Sequence, residues 1–430
     1  MNLLSSDPGK MEFVKVHSGN TTLLESFIRR AGESLKTFRY FEKRPLSVIQ
    51  FHLCTWLIVE NEVPVAYGHL DKEDGVIWLG IAVADEARGK GLGKKMMQRL
   101  MDSAAAIGVQ RIKLSVDHVN TAAIKLYEQF GFKLASKKET FGFYKWEAEP
   151  LRKAVISSLA FMGMKIDEVI AEGIKDKFIL EFSSGMPYQE NAEELFLKAP
   201  VKRFAHNYFP APKVPFVLNL GSGDEEIRRR SIQHCIHGIE LSYAVGAPFF
   251  SAHAGFCIDP KPSELGKQLS RVDSFDREKH WKLFTDSVRE VLGSTDHLPT
   301  GFLLENNVLA KMNVYADGSN PLLCVEADEM LRLMDEVPDP RAGILFDTAH
   351  MKVSAQTLEF DLEKETKKIL PFVRCIHHSD NDGMLDNNQP FQADYWFLPL
   401  MNSAGHAIHV LEVRKQNAKE LSAMEGLLFS

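Results

Sequence analysis

No run of the sequence is apolar for long enough to cross a membrane; the longest hydrophobic stretches are strand-sized and broken by Gly, His or charge. The start, MNLLSSDPGKMEF, has no basic segment leading into an apolar one, so no secretory leader is expected. There is no Cys-x-x-Cys pair. The five cysteines, Cys54, Cys235, Cys257, Cys324 and Cys375, are scattered and odd in number. That suits reduced thiols in a cytoplasmic enzyme and removes a thiolate zinc site. Positive charge is in deficit, with 51 Lys and Arg against 58 Asp and Glu, a net charge of −7. A broad nucleic-acid footprint normally needs a basic face. Repeats and low-complexity tracts are also missing. These absences point to a cytoplasmic protein acting on small molecules, with neither membrane nor nucleic acid as partner, and leave a homo-oligomer open.

What is present divides in two. A chain of 430 residues is long for one compact core. Up to about Trp146 the pattern is mixed helix and antiparallel-type strand: TWLIVENEVPVAYGHLD reads as strand, turn at Glu60-Asn61-Glu62, and strand, and GVIWLGIAVADE as a third strand. The charged segment EAEPLRK, with Pro150, marks a boundary. The expected plan is an α+β domain with a central mixed sheet over residues 1–147, a linker over 148–153, and a second domain over 154–430. In the second, VISSLAF, FILEFSS, KRFAHNYF, PFFSAHAGF, GFLLENN, GILFDTAH, FVRCIHHSD and AIHVLEVR read as strands. Amphipathic stretches such as REKHWKLFTDSVREVL separate most of them. Eight such strands suit a (β/α)8 TIM barrel within an α/β chain better than an open sheet, though periodicity alone leaves the open sheet available.

In the first domain a strand ending near Val83 is followed by Arg88-Gly89-Lys90-Gly91-Leu92-Gly93 and a long helical pattern. Glycines admit a ligand close to the backbone, and a helix start presents free N–H groups, so the segment reads as an anion cradle suited to a pyrophosphate. A nucleotide P-loop spacing is absent, and the dinucleotide Gly-x-Gly-x-x-Gly spacing is not met. A plain glycine turn is the simpler alternative. Arg88, Gly91 and Gly93 fill the pattern [Gln/Arg]-x-x-Gly-x-[Gly/Ala], and Asn120 precedes AAIKLYEQFGF, ending at Phe132. Over roughly residues 10–147 the chain therefore resembles the GNAT acetyltransferase superfamily. The resemblance implies acetyl-CoA as cofactor, an amine as acceptor, Asn120 beside the coenzyme arm, and Tyr127 as the acid that protonates the leaving thiolate. A backbone N–H near Ile81 to Val83 would polarise the thioester carbonyl. For a general base, Asp85, Glu86, Glu60 and His69 are candidates without a deciding feature.

Barrel chemistry sits at the C-terminal ends of the strands. Strand five ends at Glu305, strand six at Asp347 with His350, strand seven at His377, His378 and Asp380, and strand eight at Glu412. Ionisable groups among core apolars are costly unless paired or metal-bound. Carboxylates and imidazoles on successive strand ends read as a ligand set for one divalent ion, Mn, Mg, Co or Zn. Salt bridges and helix caps around the mouth are the alternative. His206 with Asn207, His253, and Glu181 with Ser183 add polar groups suited to a polyol, and Tyr395 with Trp396 an apolar wall. His234, His237, His280 and His297 are expected at the surface.

The turn Asp347-Thr348-Ala349-His350 and the step His377-His378-Ser379-Asp380-Asn381 give residues 154–430 a resemblance to the xylose-isomerase-like barrel superfamily of sugar isomerases and epimerases. It implies Glu305, Asp347, His377 and Glu412 as metal ligands. Glu305 and Glu412 would move a proton on opposite faces of a carbon beside a carbonyl, while the metal holds the enediolate charge. His206, His253 and His350 would bind substrate. Apurinic endonucleases of the same superfamily place Asp-x-His after strand seven. Here the nearest match is Asp386-Asn387-Asn388, which, with the acidic net charge, speaks against a nuclease. Dehydratases acting on inososes or dehydroshikimate share the metal set and stay open, as does a barrel serving the acetyltransferase only as a binding scaffold. The whole implies a bifunctional enzyme of carbohydrate biosynthesis.

Overall fold

The structure, a computed structural model, describes residues 11–42 and 44–430. It forms two compact units, 1–149 and 150–430.

The first unit carries a seven-stranded sheet: β1 (Met11–Lys15), β2 (His52–Glu60), β3 (Val63–Glu73), β4 (Val76–Val83), β5 (Arg111–Asp117), β6 (Lys133–Lys137) and β7 (Phe141–Glu147), in the order β1-β2-β3-β4-β5-β7-β6. Glu60 pairs with Val63 across a two-residue turn whose residues, Asn61 and Glu62, both have positive φ. This is the mirror-image turn that matches strand twist in a hairpin. β3 and β4 pair along their length, but the parallel pair β4 and β5 meets only at Trp78 and Lys113. Beyond that point the strands no longer pair, and β4 over residues 79–81 lines a cleft.

The second unit holds eight parallel strands: β8 (Val155–Ser157), β9 (Ile179–Phe182), β10 (Arg203–Ala205), β11 (Phe249–His253), β12 (Gly301–Glu305), β13 (Ala342–Asp347), β14 (Val373–His378) and β15 (Ile408–Leu411). The order β10-β9-β8-β15-β14-β13-β12-β11 becomes a ring through one bridge, His206 to Ser251, with Asn207 N–H donating to Ser251 O at 2.7 Å. The third strand is shorter than KRFAHNYF suggests. It stops at Ala205, His206 continues only as that bridge, and Asn207 turns away with positive φ.

Side chains alternate along each strand, so one set faces the barrel axis and the other the surrounding helices. Val155, Ile179, Phe204, Phe249, Leu303, Leu345, Cys375 and Val410 form one apolar cluster, with one residue from each strand. Their neighbours Ile156, Leu180, Ala205, Phe250, Leu304, Phe346, Ile376 and Leu411 belong to the large outer core. Two residues beyond the inner cluster, on the same face, come Ser157, Glu181, His206, Ser251, Glu305, Asp347, His377 and Glu412. The barrel axis thus passes from an apolar plug to a polar layer within one pleat.

Packing of helices on the barrel is close. A Cβ on Gly238, in the helix Glu225–Ala244, would lie 2.4 Å from the Phe250 ring, whereas one on Gly293, in Arg277–Ser294, meets nothing within 4 Å. Gly238→Ala should therefore destabilise the barrel by about 1–3 kcal/mol through overpacking. Gly293→Ala should stabilise it by up to about 1 kcal/mol through helix propensity. Calorimetric melting of the full chain compares the two; equal shifts would contradict this packing.

Candidate functional site

The polar layer of the barrel draws Glu305, Asp347, His377 and Glu412 together, with one donor atom from each lying within 4.8 Å of all the others. Glu305, Asp347 and His377 are fully buried, and only the Glu412 side chain retains slight exposure. His377 Nδ1 stands 3.0 Å from Glu412 Oε2, 3.7 Å from Glu305 Oε1 and 4.0 Å from Asp347 Oδ2. On the other side of the ring, Nε2 is 3.2 Å from Glu181. Alternation decides which histidine of the pair faces in. His378 points outward and bonds Tyr395 Oη and His409 Nδ1.

Both Glu305 oxygens and Asp347 Oδ2 are buried without a hydrogen-bond partner. His206 Nε2 and His253 Nδ1 each come to 3.2 Å of Glu305 Oε2, forming a second donor set that shares Glu305 with the first. Buried carboxylate oxygens left without donors are costly, and a cation bound among them removes that cost. The residues therefore fit a divalent ion: oxygen donors, imidazole nitrogens, and spacings that ligands around a common centre adopt. One ion was the expectation; the overlapping sets have room in their donor list for two.

The electrostatics report the same imbalance. Burial pushes the Asp347 carboxyl well above the usual range, and repulsion from Glu412, Asp386 and Glu305 adds to it, against the pull of His350. Burial also opposes charge on Glu305, yet His253, His206 and His377 hold it well below the usual range. Against the same penalty, His377 pulls Glu412 down to about 2. His377 itself is raised well above its ordinary value, since Glu181 and Glu412 outweigh its burial.

Glu181 is the residue whose role strand-end reading missed. It sits inside β9, two residues past Ile179, and its carboxylate accepts from His377 Nε2. That contact fixes the ring and turns Nδ1 towards the carboxylates, the arrangement that orients metal-binding histidines. The signal was the register: Glu181 is two residues beyond the apolar layer, as Glu305 and His377 are.

Three readings are corrected by the structure. His350 does not end a strand; it lies in the first turn of the helix Thr348–Leu358, where Asp347 caps its N–H at 2.7 Å, with Nε2 3.3 Å from Asp386. Tyr395 is no sugar wall, because it packs outside the barrel and donates to Thr348 Oγ1 at 2.6 Å. His234 and His280 are half-buried, bonding the carbonyls of Asn207 and Gly221. His206, His253, His350 and Glu412 all line one cavity of about 610 Å³ at the barrel mouth.

In the first unit the cleft between β4 and β5 is a cavity of about 470 Å³. Ile81, Asn120 and Tyr127 all line it. The Gly89 and Gly91 backbones are left-handed, and Gly91 caps the helix Leu92–Ile107. A Cβ at either would meet nothing within 4 Å, so glycine is needed there for conformation and not for space. Leu92 is buried and offers only its backbone, Gly93 sits against Leu126, and Lys90 is exposed. Arg88 pairs with Asp85 at 2.8 Å and donates to Ser34 Oγ, which in turn bonds Val83 O. Asn120 Oδ1 caps the following helix through Ala123 N–H. Of the candidate bases, Asp85 accepts from Glu33 N–H and Glu86 pairs with Arg30, so both serve local structure. Glu60 stands at the hairpin turn. His69 alone among them lines the cleft, buried, with Nδ1 unpartnered.

A model of the acetyltransferase (GNAT) family matches residues 21–132, and one of the xylose isomerase-like TIM barrel matches residues 184–429. The chain belongs to the xylose isomerase-like TIM barrel family and carries a GNAT domain. It is 44% identical over 64 residues to spermine/spermidine N(1)-acetyltransferase of Bacillus subtilis, covering 14% of this chain and 42% of that protein. It is 26% identical over 173 residues to "Probable endonuclease 4" of Persephonella marina, covering 39% of this chain and 52% of that one. The chain thus spans about half the length of these curated relatives. A D-tagatose 3-epimerase-like protein superposes with a TM-score of 0.50 at 13% identity, covering 64% of this chain and 95% of its own, a likeness of fold. Among the described residues, no helix is long and apolar enough to cross a membrane.

Burial pushes the Tyr127 hydroxyl up to about 12, so it keeps its proton throughout the ordinary working range. Tyr127→Phe should lower kcat for acetyl transfer by about 10²-fold or more, with acetyl-CoA affinity nearly unchanged. The wild-type rate should show no alkaline loss from this group below about pH 10. Unchanged turnover with chemistry rate-limiting would make Tyr127 a packing residue.

Proposed function

We propose that the chain is a bifunctional enzyme, an acetyl-CoA-dependent N-acetyltransferase joined to a divalent-metal-dependent isomerase or epimerase of a sugar or sugar derivative. The observation that carries the barrel assignment is the buried set Glu305, Asp347, His377 and Glu412, whose carboxylate oxygens include three without hydrogen-bond partners. These four residues would hold the ion, with Glu181 orienting His377. A bound divalent ion supplies polarisation of a carbonyl, which makes the adjacent C–H acidic. Glu412, held ionised by His377 and lining the cavity, is the carboxylate proposed to take that proton. Glu305 is its proposed counterpart on the other face of the carbon. His253 and His350 stand over the cavity as donors to substrate oxygens. In the first unit, β4 near Ile81 would hold the thioester carbonyl, Arg88 to Gly93 the pyrophosphate, and Tyr127 would return a proton to the thiolate. The joining of the two activities supports a role in carbohydrate biosynthesis.

One observation favours a second reading for the barrel. The additional donors His206 and His253 share Glu305 with the first set, an arrangement suited to two ions and to phosphoester hydrolysis. The likeness to endonuclease 4 sequences supports the same reading. Asn388, where an imidazole would be needed for a third ion, weighs against a complete nuclease site.

The test is ion content measured with hydrogen exchange in D2O across a panel of ketoses, aldoses and inososes. One ion per chain and ion-dependent uptake of solvent deuterium are expected. Glu412→Gln should lose exchange by about 10²-fold or more while retaining the ion. Glu305→Gln and His377→Ala should lose the ion first. Two ions per chain with phosphodiester cleavage and no exchange would establish the second reading instead.

A further inference from the structure

The mouth of the barrel is larger and less polar than a free monosaccharide requires. Its cavity, about 610 Å³, lies in the range that takes drug-sized ligands. His206, His253, His350 and Glu412 line it, and Lys213, Lys267, Asn388 and Arg414 add further polar groups. Apolar side chains converge on the same cavity: Tyr208, Phe216, Leu265, Leu269, Met312 and Leu385. A free sugar spends its hydroxyls on hydrogen bonds and leaves such apolar side chains uncovered.

The wall is built in advance. Tyr208 Oη accepts from Leu218 N–H at 2.6 Å, which fixes the ring. Phe216 meets that ring edge-on, with centroids 6.0 Å apart, and the Arg230 guanidinium covers Phe216 at 4.1 Å. Leu265 and Leu385, from loops after different strands, hold their side chains at 38% and 47% exposure on the same rim. Apolar side chains scattered singly over a surface need no explanation, whereas several converging on one cavity do.

We propose that the barrel's substrate is amphipathic: a polar carbonyl or polyol head at the carboxylate–imidazole cluster, bearing an aryl or alkyl substituent that lies against Phe216 and Leu385. This rests on the reading of the cluster as the reaction centre, and the continuity of the cavity with it identifies the occupant as the same molecule's tail. Free ketoses are then poor substrates compared with ethers of them that carry an apolar group and keep the carbonyl free.

The experiment uses the full chain and a homologous series of β-D-glucopyranosides, methyl, butyl, hexyl and octyl. Each is titrated below its micelle concentration against bound 1-anilinonaphthalene-8-sulfonate. Affinity should rise by up to about fourfold per added methylene until the cavity is filled, the factor for about 0.8 kcal/mol of burial per CH2. Phe216→Ser and Leu385→Ser should each weaken the octyl compound by about fivefold or more and leave the methyl compound unchanged. Ile174→Ser, at an exposed apolar position outside the cavity, should change neither. Affinity independent of chain length, or octyl binding insensitive to both cavity substitutions, overturns the proposal. So does a dimer, seen by light scattering, that Leu385→Ser dissolves, since the rim would then belong to a second copy. Ion content measured on the same samples separates the failures. A chain that binds the series but no divalent ion contradicts the proposed reaction centre, while one that binds the ion but not the series contradicts only the tail.

Discussion

The barrel is organised by a mismatch of charge in a place from which water is shut out. Glu181, Glu305, Asp347 and Glu412 point into one polar layer, and the imidazoles of His206 and His377 stand among them. Repulsion and burial together drive Asp347 towards its neutral form, while the histidines hold Glu305 and Glu412 ionised. A core does not keep such a set for stability alone, because breaking or leaving unpaired a buried charge costs several kcal/mol. Everything around the layer serves to hold it: the apolar plug one pleat below, the outward hydrogen bonds of His378, Thr348 and Tyr395, and the cap that Asp347 places on the helix behind it.

That outer network explains why the inner geometry is fixed. Thr348 Oγ1 donates to His377 O at 2.9 Å and accepts from Tyr395 Oη. Asn306 holds the Asp347 backbone from both sides, with its amide donating to Asp347 O and its carbonyl oxygen accepting from Asp347 N–H. Neighbouring strands are thereby tied at the level of the carboxylates, so the donors are placed before any ligand arrives, as ligand binding of this kind requires. The cleft of the first unit is made differently, by strands that stop pairing. A single contact between Trp78 and Lys113 leaves the β4 edge unpaired beyond it.

Much of this was legible in the sequence, for identifiable reasons. Glycines in Arg88–Gly93 and the Asn120–Phe132 segment carry a motif of fixed spacing, and the barrel strands carry short apolar runs ended by ionisable residues. What strand-end reading could not supply was face. Glu181 sits within its strand, and His350 beyond its strand, so strand-end reading named both but took Glu181 only for a substrate-binding group and set His350 at a strand end. Counting two positions from the apolar layer recovers Glu181. His350 depends on a helix that begins at once after Asp347, a tertiary fact. The aromatic wall failed for the same reason: Tyr395 and Tyr208 are equally plausible in sequence, and only the path of the loops puts Tyr208 in the cavity and Tyr395 behind the barrel.

The central claim is that the carboxylates and imidazoles of the polar layer exist to hold a divalent ion at the mouth of the cavity. Diffraction from crystals grown with manganese, collected across its absorption edge, tests this most directly. The account predicts an anomalous peak bounded by Glu305, Asp347, His377 and Glu412, at about 2.0–2.6 Å from their donor atoms, with Glu181 still bonded to the far side of His377. Density showing the four side chains bonded to one another through ordered water alone, at saturating manganese, would contradict it.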